Sequence, residues 1–305
     1  MHILITGGAG FIGSHLTRWL VEQGHTVRVL DNLSSGRSAA LGPARSAVEL
    51  VVGDLRDPEA LARAVAGCEI VFHLAAMVSV VESIERPQAA YDLNVVGTVG
   101  LLQAARAAGV RRVVQASTCA VYGNTERLPV REDDPPQPLS PYSATKLAAE
   151  QAGILYTHLY GLDVAAMRFF NVYGPRQDPA SPYAAAIPRF VQALRDGRRP
   201  TVFGDGLQTR DFVFVGDIVQ ALWAAAHAPG AAGGIFNVGR GEETTILDLI
   251  GTIANVLGVP AEIDFQPARP GEVRHSRADV SRLTTQVGFR AATDLPTGLA
   301  MTLHE

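Results

Sequence analysis

The chain has 305 residues, 47% of them hydrophobic and 18% charged, with 30 glycines and 18 prolines scattered along it. That composition belongs to a folded protein of one large or two modest domains and excludes a disordered tail, a collagen and a low-complexity linker. A formal charge of -4, with 26 Lys plus Arg against 30 Asp plus Glu, offers no basic field for a nucleic-acid backbone.

Two cysteines, Cys68 and Cys119, build neither a disulfide framework nor a Cys-rich zinc site, which fits a reducing cytoplasm. No apolar run reaches the roughly 18 residues of a membrane span, and the opening Met1-His2-Ile3-Leu4-Ile5-Thr6 has no signal-peptide pattern. A soluble, cytoplasmic protein that binds neither nucleic acid nor membrane is expected, with no metal site.

In chain order, Ile3–Ile5, Thr26–Leu30, Val48–Val52, Ile70–Leu74 and Val113–Gln115 read as short buried strands. Helix-like stretches follow them, among them Ile12–Gln23, Pro58–Val65 and Ala90–Ala108. This alternation predicts an α/β fold with a parallel, doubly wound (Rossmann) sheet. After Val164–Phe170 the pattern loosens, with Gly and Pro at 174–175, 204–206 and 267–271. A sheet domain over 1–170, with returning segments near 212–238, and a smaller interleaved substrate domain over 171–211 and 239–305 are expected.

The first strand runs into Gly7-Gly8-Ala9-Gly10-Phe11-Ile12-Gly13, which satisfies both G-x-G-x-x-G and G-x-x-G-x-x-G. Missing side chains permit a tight turn, backbone approach to a pyrophosphate, and close helix-on-strand packing, while the helix N-terminus favours the phosphates. Asp31-Asn32 closes the second strand about 20 residues on, where a carboxylate accepts from the adenosine ribose and repels a 2′-phosphate. That favours NAD, although Arg37 nearby keeps NADP open. Asp54-Leu55, after the third strand, caps the adenine or serves as a turn or N-cap. Leu74-Ala75-Ala76 ends the fourth strand in residues small enough for a flat ligand, and His73 reads as a packed core histidine.

The chain's only lysine, Lys146, stands four residues after Tyr142, one helical turn away on the same face. A phenol titrates near about 10, so a phenolate working near neutral pH needs a cation beside it, and a compact ammonium is suited to touch both a phenol and a ribose hydroxyl. Upstream, Ser117-Thr118 ends the fifth strand, where doubly wound proteins place ligands. Thr118 is the expected partner of the reacting oxygen. Ser117 is the alternative, or contacts the cofactor.

With these motifs in this order, and with Val121-Tyr122-Gly123 after the Ser-Thr pair, the chain resembles the extended short-chain dehydrogenase/reductase family. Within it, the nucleotide-sugar 4-epimerases are similar from residue 1 to about residue 300. Arg168-Phe169-Phe170-Asn171 through Arg176, Gly204-Asp205-Gly206 through Arg210-Asp211-Phe212, and Arg269-Pro270-Gly271-Glu272 carry the likeness further. The resemblance implies that NAD also touches Phe11, Ile12, Asn94 and Phe170. It implies that a UDP-sugar meets Ser79, Thr118, Tyr142, Asn171, Ala185, Arg210, Arg269, Glu272 and Ser276. Asn171 and Arg210 would bind near the diphosphate, Arg269 a phosphate, and Glu272, where the family usually has Asp, the uridine ribose.

The implied reaction is oxidation at sugar C4 by tightly held NAD, with Tyr142 taking the proton, followed by return of hydride to the other face of the 4-keto sugar. Related 4,6-dehydratases carry an acidic pair directly after the Ser-Thr; here those positions are Cys119, a small filler or a thiol with a role, and Ala120. Asn171, where uronate-specific relatives tend to have Thr, implies a neutral sugar. Ser276, four residues after Glu272, stands where a Tyr would exclude an N-acetyl group, although Val78 replaces a Gly of the N-acetylhexosamine subgroup. The resemblance implies a homodimer formed through the helix-like stretches Ala90–Ala108 and Pro141–Leu159. The competing readings are an NAD(P)H-dependent nucleotide-4-ketosugar reductase and a non-catalytic dinucleotide-sensing module, which would typically lack the Tyr142/Lys146 pair.

Overall fold

The computed structural model describes residues 1–125, 127–177, 186–268 and 273–304. Its first half runs β1 (His2–Thr6), α1 (Phe11–Glu22), β2 (Thr26–Asp31), β3 (Val48–Val52), α2 (Pro58–Val65), β4 (Ile70–His73), α3 (Val80–Glu85), α4 (Pro87–Tyr91), α5 (Gly97–Ala107), β5 (Arg112–Thr118) and α6 (Pro141–Tyr160). It continues through β6 (Asp163–Phe169), β7 (Asn171–Tyr173), α7 (Ala186–Arg195), β8 (Thr201–Phe203), β9 (Thr209–Arg210), β10 (Phe212–Phe214) and α8 (Val215–His227). The chain ends with β11 (Ile235–Val238), β12 (Thr244–Thr245), α9 (Ile246–Leu257), β13 (Asp264–Gln266) and α10 (Leu295–His304).

Seven strands form one sheet in the order β11-β6-β5-β4-β1-β2-β3, and every pair in it is parallel. The doubly wound sheet read from the sequence is present. Both faces are covered, which is why Ile3, Leu4 and Ile5 are apolar without alternation and are all fully buried. Leu16 and Leu20 of α1 pack with Ile218 and Leu222 of α8 in the core on one face. On the other, Leu61 of α2 meets Leu101 and Leu102 of α5. Winding order reverses between β1 and β4, so a crevice opens at the carboxyl ends of those strands, where doubly wound folds bind ligands.

Helix ends follow local chemistry. α6 starts at a capping box formed by Ser140 and Ser143, with Pro141 in its first turn, and stops at Gly161 in the left-handed conformation. The helix-like stretch expected over Ala90–Ala108 is helical to Ala107, with α4 and α5 joined without a break by a wide π-type turn over Asp92–Val96. Of the expected returning segments, β11 joins the main sheet beside β6, whereas β10 pairs with β7 in a separate two-stranded ribbon. A further core gathers Phe190 and Leu194 of α7, Ile250 and Ile253 of α9, and Leu299 of α10. Among the described residues no helix is long and apolar enough to cross a membrane.

Candidate active site

A cavity of about 430 Å³ occupies the crevice, and Gly7, Gly10 and Gly13 line it together with Phe11 and Ile12. Gly7 has φ +70, and a Cβ on it would lie 2.7 Å from the Ala75 amide nitrogen. At Gly13 a Cβ would collide with the Gly7 carbonyl oxygen. Gly8 faces away: its Cβ would meet Val29 at 2.7 Å, so it serves the packing of α1 on β2. The geometry therefore selects Gly7-x-x-Gly10-x-x-Gly13 as the ligand-facing set, a bare backbone cradle at a helix N-terminus that suits a pyrophosphate.

Asp31 ends β2 on the cavity wall, with Asn32, Ser34, Ser35 and Gly36 beside it. Its Oδ2 accepts from the Ala9 amide at 2.9 Å and its Oδ1 from the Leu33 amide at 2.8 Å. The carboxylate is thus fixed, and each oxygen keeps a lone pair for a ribose hydroxyl. Leu55, Leu74, Ala75, Ala76 and Phe170 complete the apolar lining. Asp54 takes the turn role that the sequence left open. Its carboxylate is held by Arg56 at 2.7 and 2.9 Å and by Asn32 at 2.9 Å, the Arg56 bond being the main reason it stays well below the usual carboxylate range.

One expected contact is committed to the protein itself. Asn94 accepts from the Met77 amide at 2.8 Å and donates to the Met77 carbonyl and to Thr145, so it staples the loop after β4 and does not line the cavity. Ser79 caps α3 by accepting from the Glu82 amide at 3.0 Å, which leaves its hydroxyl hydrogen to donate elsewhere. His73 is sealed between Thr6 at 2.7 Å and Thr98 at 2.9 Å; burial, with the Lys146 charge adding, lowers it to about 3, as befits a neutral core histidine.

The reactive end is assembled by β5 and α6. Ser117, Thr118, Tyr142 and Lys146 all line the cavity. Ser117 donates to Glu150 Oε2 at 2.9 Å, while Thr118 shares a hydrogen bond with the Tyr142 phenol. Burial pushes that phenol up to about 12, and the Thr118 bond pulls the other way. Lys146 is buried and hydrogen-bonds no described residue; burial lowers it to about 8, with Glu150 opposing the shift. An ammonium without an acceptor on a cavity wall fits a ligand that brings its own, such as a ribose diol.

Beneath these groups lies a polar network that the sequence reading passed over. Glu150 and Arg168 form a fully buried bidentate pair at 2.6 and 2.9 Å, and Arg168 also donates to the Tyr122 hydroxyl at 2.8 Å. Tyr122 in turn donates to Asn237 on β11 at 2.6 Å. An acid one turn beyond Lys146 was the available sign.

A second cavity, about 310 Å³, shares Phe170 and Asn171 with the first and is lined also by Val80, Cys119, Arg210, His275 and Ser276. Burial, reinforced by Asp211, pushes the Cys119 thiol up to about 12, which leaves it a neutral filler. Asp211 accepts from the amides of Arg240 at 2.7 Å, Gly241 at 2.9 Å and Ala278 at 3.0 Å. It thereby joins the strand bearing Arg210 to the segment bearing Ser276. A third cavity, about 470 Å³, is lined by Arg189, Phe190, Arg198, Arg199, Phe203 and Gln208 among others. Ala185, Arg269 and Glu272 lie outside the described residues.

A family model described as the NAD dependent epimerase/dehydratase family matches residues 3–239. The UDP-glucose 4-epimerase of Mycolicibacterium smegmatis is 44% identical over 308 residues, covering 100% of this chain and 98% of that protein. Among solved structures, the UDP-N-acetylglucosamine 4-epimerase of Methanobrevibacter ruminantium, in complex with UDP-N-acetylmuramic acid, superposes with a TM-score of 0.95 at 36% identity, covering 99% of this chain and 97% of that one. The UDP-glucose 4-epimerase of Thermotoga maritima with UDP-glucose gives a TM-score of 0.94 at 35% identity, covering 100% and 98%.

Proposed function

The chain belongs to the NAD dependent epimerase/dehydratase family, and from that premise we propose that it inverts C4 of a UDP-hexose or UDP-N-acetylhexosamine through a transient 4-keto sugar. NAD is its cofactor. The observation that carries the reading is the meeting, in one cavity, of a glycine cradle, a fixed Asp31 and the Thr118, Tyr142 and Lys146 trio. Incubation with UDP-glucose, UDP-N-acetylglucosamine and UDP-glucuronate separately, with scoring of C4 epimers and of NAD released on denaturation, tests it. An absolute requirement for added NADPH with stoichiometric oxidation would instead establish the reductase.

When bound, NAD would be held by the glycine cradle, Asp31 and Lys146 and would supply a reversible hydride acceptor. Tyr142 takes the proton of the 4-hydroxyl and returns it once the keto sugar has turned about its bond to the diphosphate. Thr118 holds the reacting oxygen against the phenol. Lys146 stabilises the phenolate electrostatically while anchoring the ribose, and the dry wall strengthens both effects. Asn171 and Arg210 hold the diphosphate so that the sugar alone reorients.

Placement supports the remaining assignments. The nucleoside is assigned to the third cavity, whose Phe190, Phe203 and Gln208 suit a base and whose Arg189, Arg198 and Arg199 suit the phosphate side. The substrate domain is formed by 171–211 and 239–305 around a core of its own. A homodimer is supported by apolar side chains left exposed on α3, α4 and α6, including Ile84, Tyr91, Leu155 and Leu159. The enzyme works in the cytoplasm, where UDP-sugars and reduced thiols coexist.

A further inference from the structure

His275 lines the second cavity between Val273 and Ser276, with Arg210 on the same wall, and nothing in the proposed mechanism uses it. Its backbone is fixed by its neighbour. The Arg274 carbonyl accepts from the Thr209 amide at 3.0 Å, and the Arg274 guanidinium grips Asp205 through two bonds of 2.7 Å.

The hydrogen bonds around the ring determine which nitrogen carries its proton. Thr209 Oγ1 lies 2.8 Å from Glu243 Oε1; an ionised carboxylate only accepts, so the threonine proton is committed to Glu243. The same Oγ1 lies 3.1 Å from His275 Nδ1 and can only accept there. Nδ1 therefore bears the hydrogen, and in the neutral ring Nε2 is left as a bare acceptor. Glu243 is held in turn by Arg277 at 3.7 Å, so the relay is anchored at its far end. Nε2 hydrogen-bonds no described residue.

We propose that His275 is a specificity residue whose Nε2 accepts a hydrogen bond from a hydroxyl of the bound sugar and disfavours a carboxylate in that place, an assignment that rests on the 4-epimerase reading above. A sugar hydroxyl has a proton to give. A carboxylate sets lone pairs against a lone pair and leaves both sides desolvated and unmatched. Arg210 is the cation of this cavity and serves the diphosphate; the discrimination comes from the neutral ring, which presents an acceptor and no donor at Nε2. The substrate class is therefore a neutral hexose on a nucleoside diphosphate, in preference to a uronate.

The test compares kinetics of the parent, His275→Ala, His275→Gln and Thr209→Val with UDP-galactose as substrate, alongside inhibition by UDP-glucuronate. His275→Ala should raise KM for UDP-galactose by about five- to tenfold with kcat changed less than about threefold, the weight of one uncharged hydrogen bond. Inhibition by UDP-glucuronate should hold or tighten, so that the preference for the neutral sugar narrows. Gln, which keeps an acceptor, should restore most of the KM. Thr209→Val removes the relay and should lose part of the discrimination. An unchanged KM in His275→Ala, or an equal weakening of both ligands, overturns the assignment. Lack of turnover by the parent would count against the 4-epimerase reading itself.

Discussion

Ser117 and Glu150 are joined by a 2.9 Å hydrogen bond in which the serine hydroxyl donates to the carboxylate. With that proton committed, Thr118 is the strand-end hydroxyl that meets Tyr142. Thr118→Val should lower kcat by roughly 10–100-fold and Tyr142→Phe by roughly 10²–10⁴-fold, while Ser117→Ala stays within about threefold. Tyr142→Phe should still retain NAD, because the ring and its packing remain. Initial rates on one UDP-hexose, with NAD content measured in parallel, decide the matter; a larger loss from Ser117→Ala than from Thr118→Val would reverse the two roles.

Lys146 sets a break in the pH profile. Burial pushes the Tyr142 phenol up to about 12 and lowers the Lys146 ammonium to about 8, and the productive state pairs a phenolate with a charged lysine. That state grows about tenfold per unit as pH approaches 8 and levels off above it, where the rising phenolate fraction offsets the loss of ammonium. Lys146→Met should be slow and should keep rising through pH of about 8 without that break. A parent profile that falls as pH rises from about 6 to 8 would show that this pair does not set the rate.

Glu150 and Arg168 form their bidentate pair with 0% and 2% side-chain exposure. Glu150→Gln removes the compensating charge and strands a buried guanidinium, so unfolding free energy should fall by about 3–5 kcal/mol. Arg168→Leu in the Glu150→Leu background should recover part of that loss, since a well-packed apolar pair has no stranded charge. Denaturant titration of Glu150→Gln, of the Glu150→Leu and Arg168→Leu single variants and of their double variant measures it; a double loss equal to the sum of the two Leu losses would mean that the pair is not coupled.

How much of this was legible in the residues depends on how local each signal is. Strand runs buried on both faces, Gly7, Gly10 and Gly13 in a strand-turn-helix context, and Tyr142 one turn before Lys146 all express themselves within a few positions, and they lead directly to the crevice and its reactive end. Roles that depend on which partner a side chain takes were hidden. The amide of Asn94 is consumed by Met77 and Thr145, and the Asp54 carboxylate is held by Arg56, neither of which residue type alone announces. Glu150 with Arg168, and His275 with Thr209, likewise acquire meaning only once β5, α6, β6 and β9 are placed. The helical stretch over Ala90–Ala108 was legible, but its π-type turn at Asp92–Val96 was not, because one extra residue in the turn leaves the apolar spacing nearly unchanged while altering the hydrogen bonding.

The proposed homodimer rests on an exposed apolar stripe. Leu159 is 66% exposed, Leu155 53% and Val96 60%, on helices whose other faces are already packed on the sheet. Arg106 lies over the Tyr160 ring at 4.3 Å and borders the same stripe. Leu155→Glu with Leu159→Glu should convert the protein to a monomer by light scattering at micromolar concentration, because burying two carboxylates opposes association by several kcal/mol. A parent that is already monomeric there would remove the basis for the dimer.

Ser276 is the proposed gate for the sugars that fit. It lines the second cavity beside Val80 and His275, its segment tied to Arg210's strand through Asp211, so a side chain grown there projects into space that the sugar must use. In the family resemblance a small residue at this position admits an N-acetyl group and Tyr excludes it. Val78, which stands where the N-acetylhexosamine subgroup has Gly, lines the first cavity and is 66% exposed, so its bulk is directed partly to solvent and narrows the sugar space less than its identity alone would imply. The parent should therefore turn over UDP-N-acetylglucosamine as well as UDP-glucose. Ser276→Tyr should lower kcat/KM for the N-acetylated substrate by at least about 100-fold, because a clash at the acetamido group has no room to relax, and should leave UDP-glucose within about threefold. Open space permits a ligand without attracting it, so tolerance is the firmer expectation and preference follows from measured kcat/KM ratios in the parent. Equal loss on both sugars, or none on either, would show that the gate lies elsewhere on the wall.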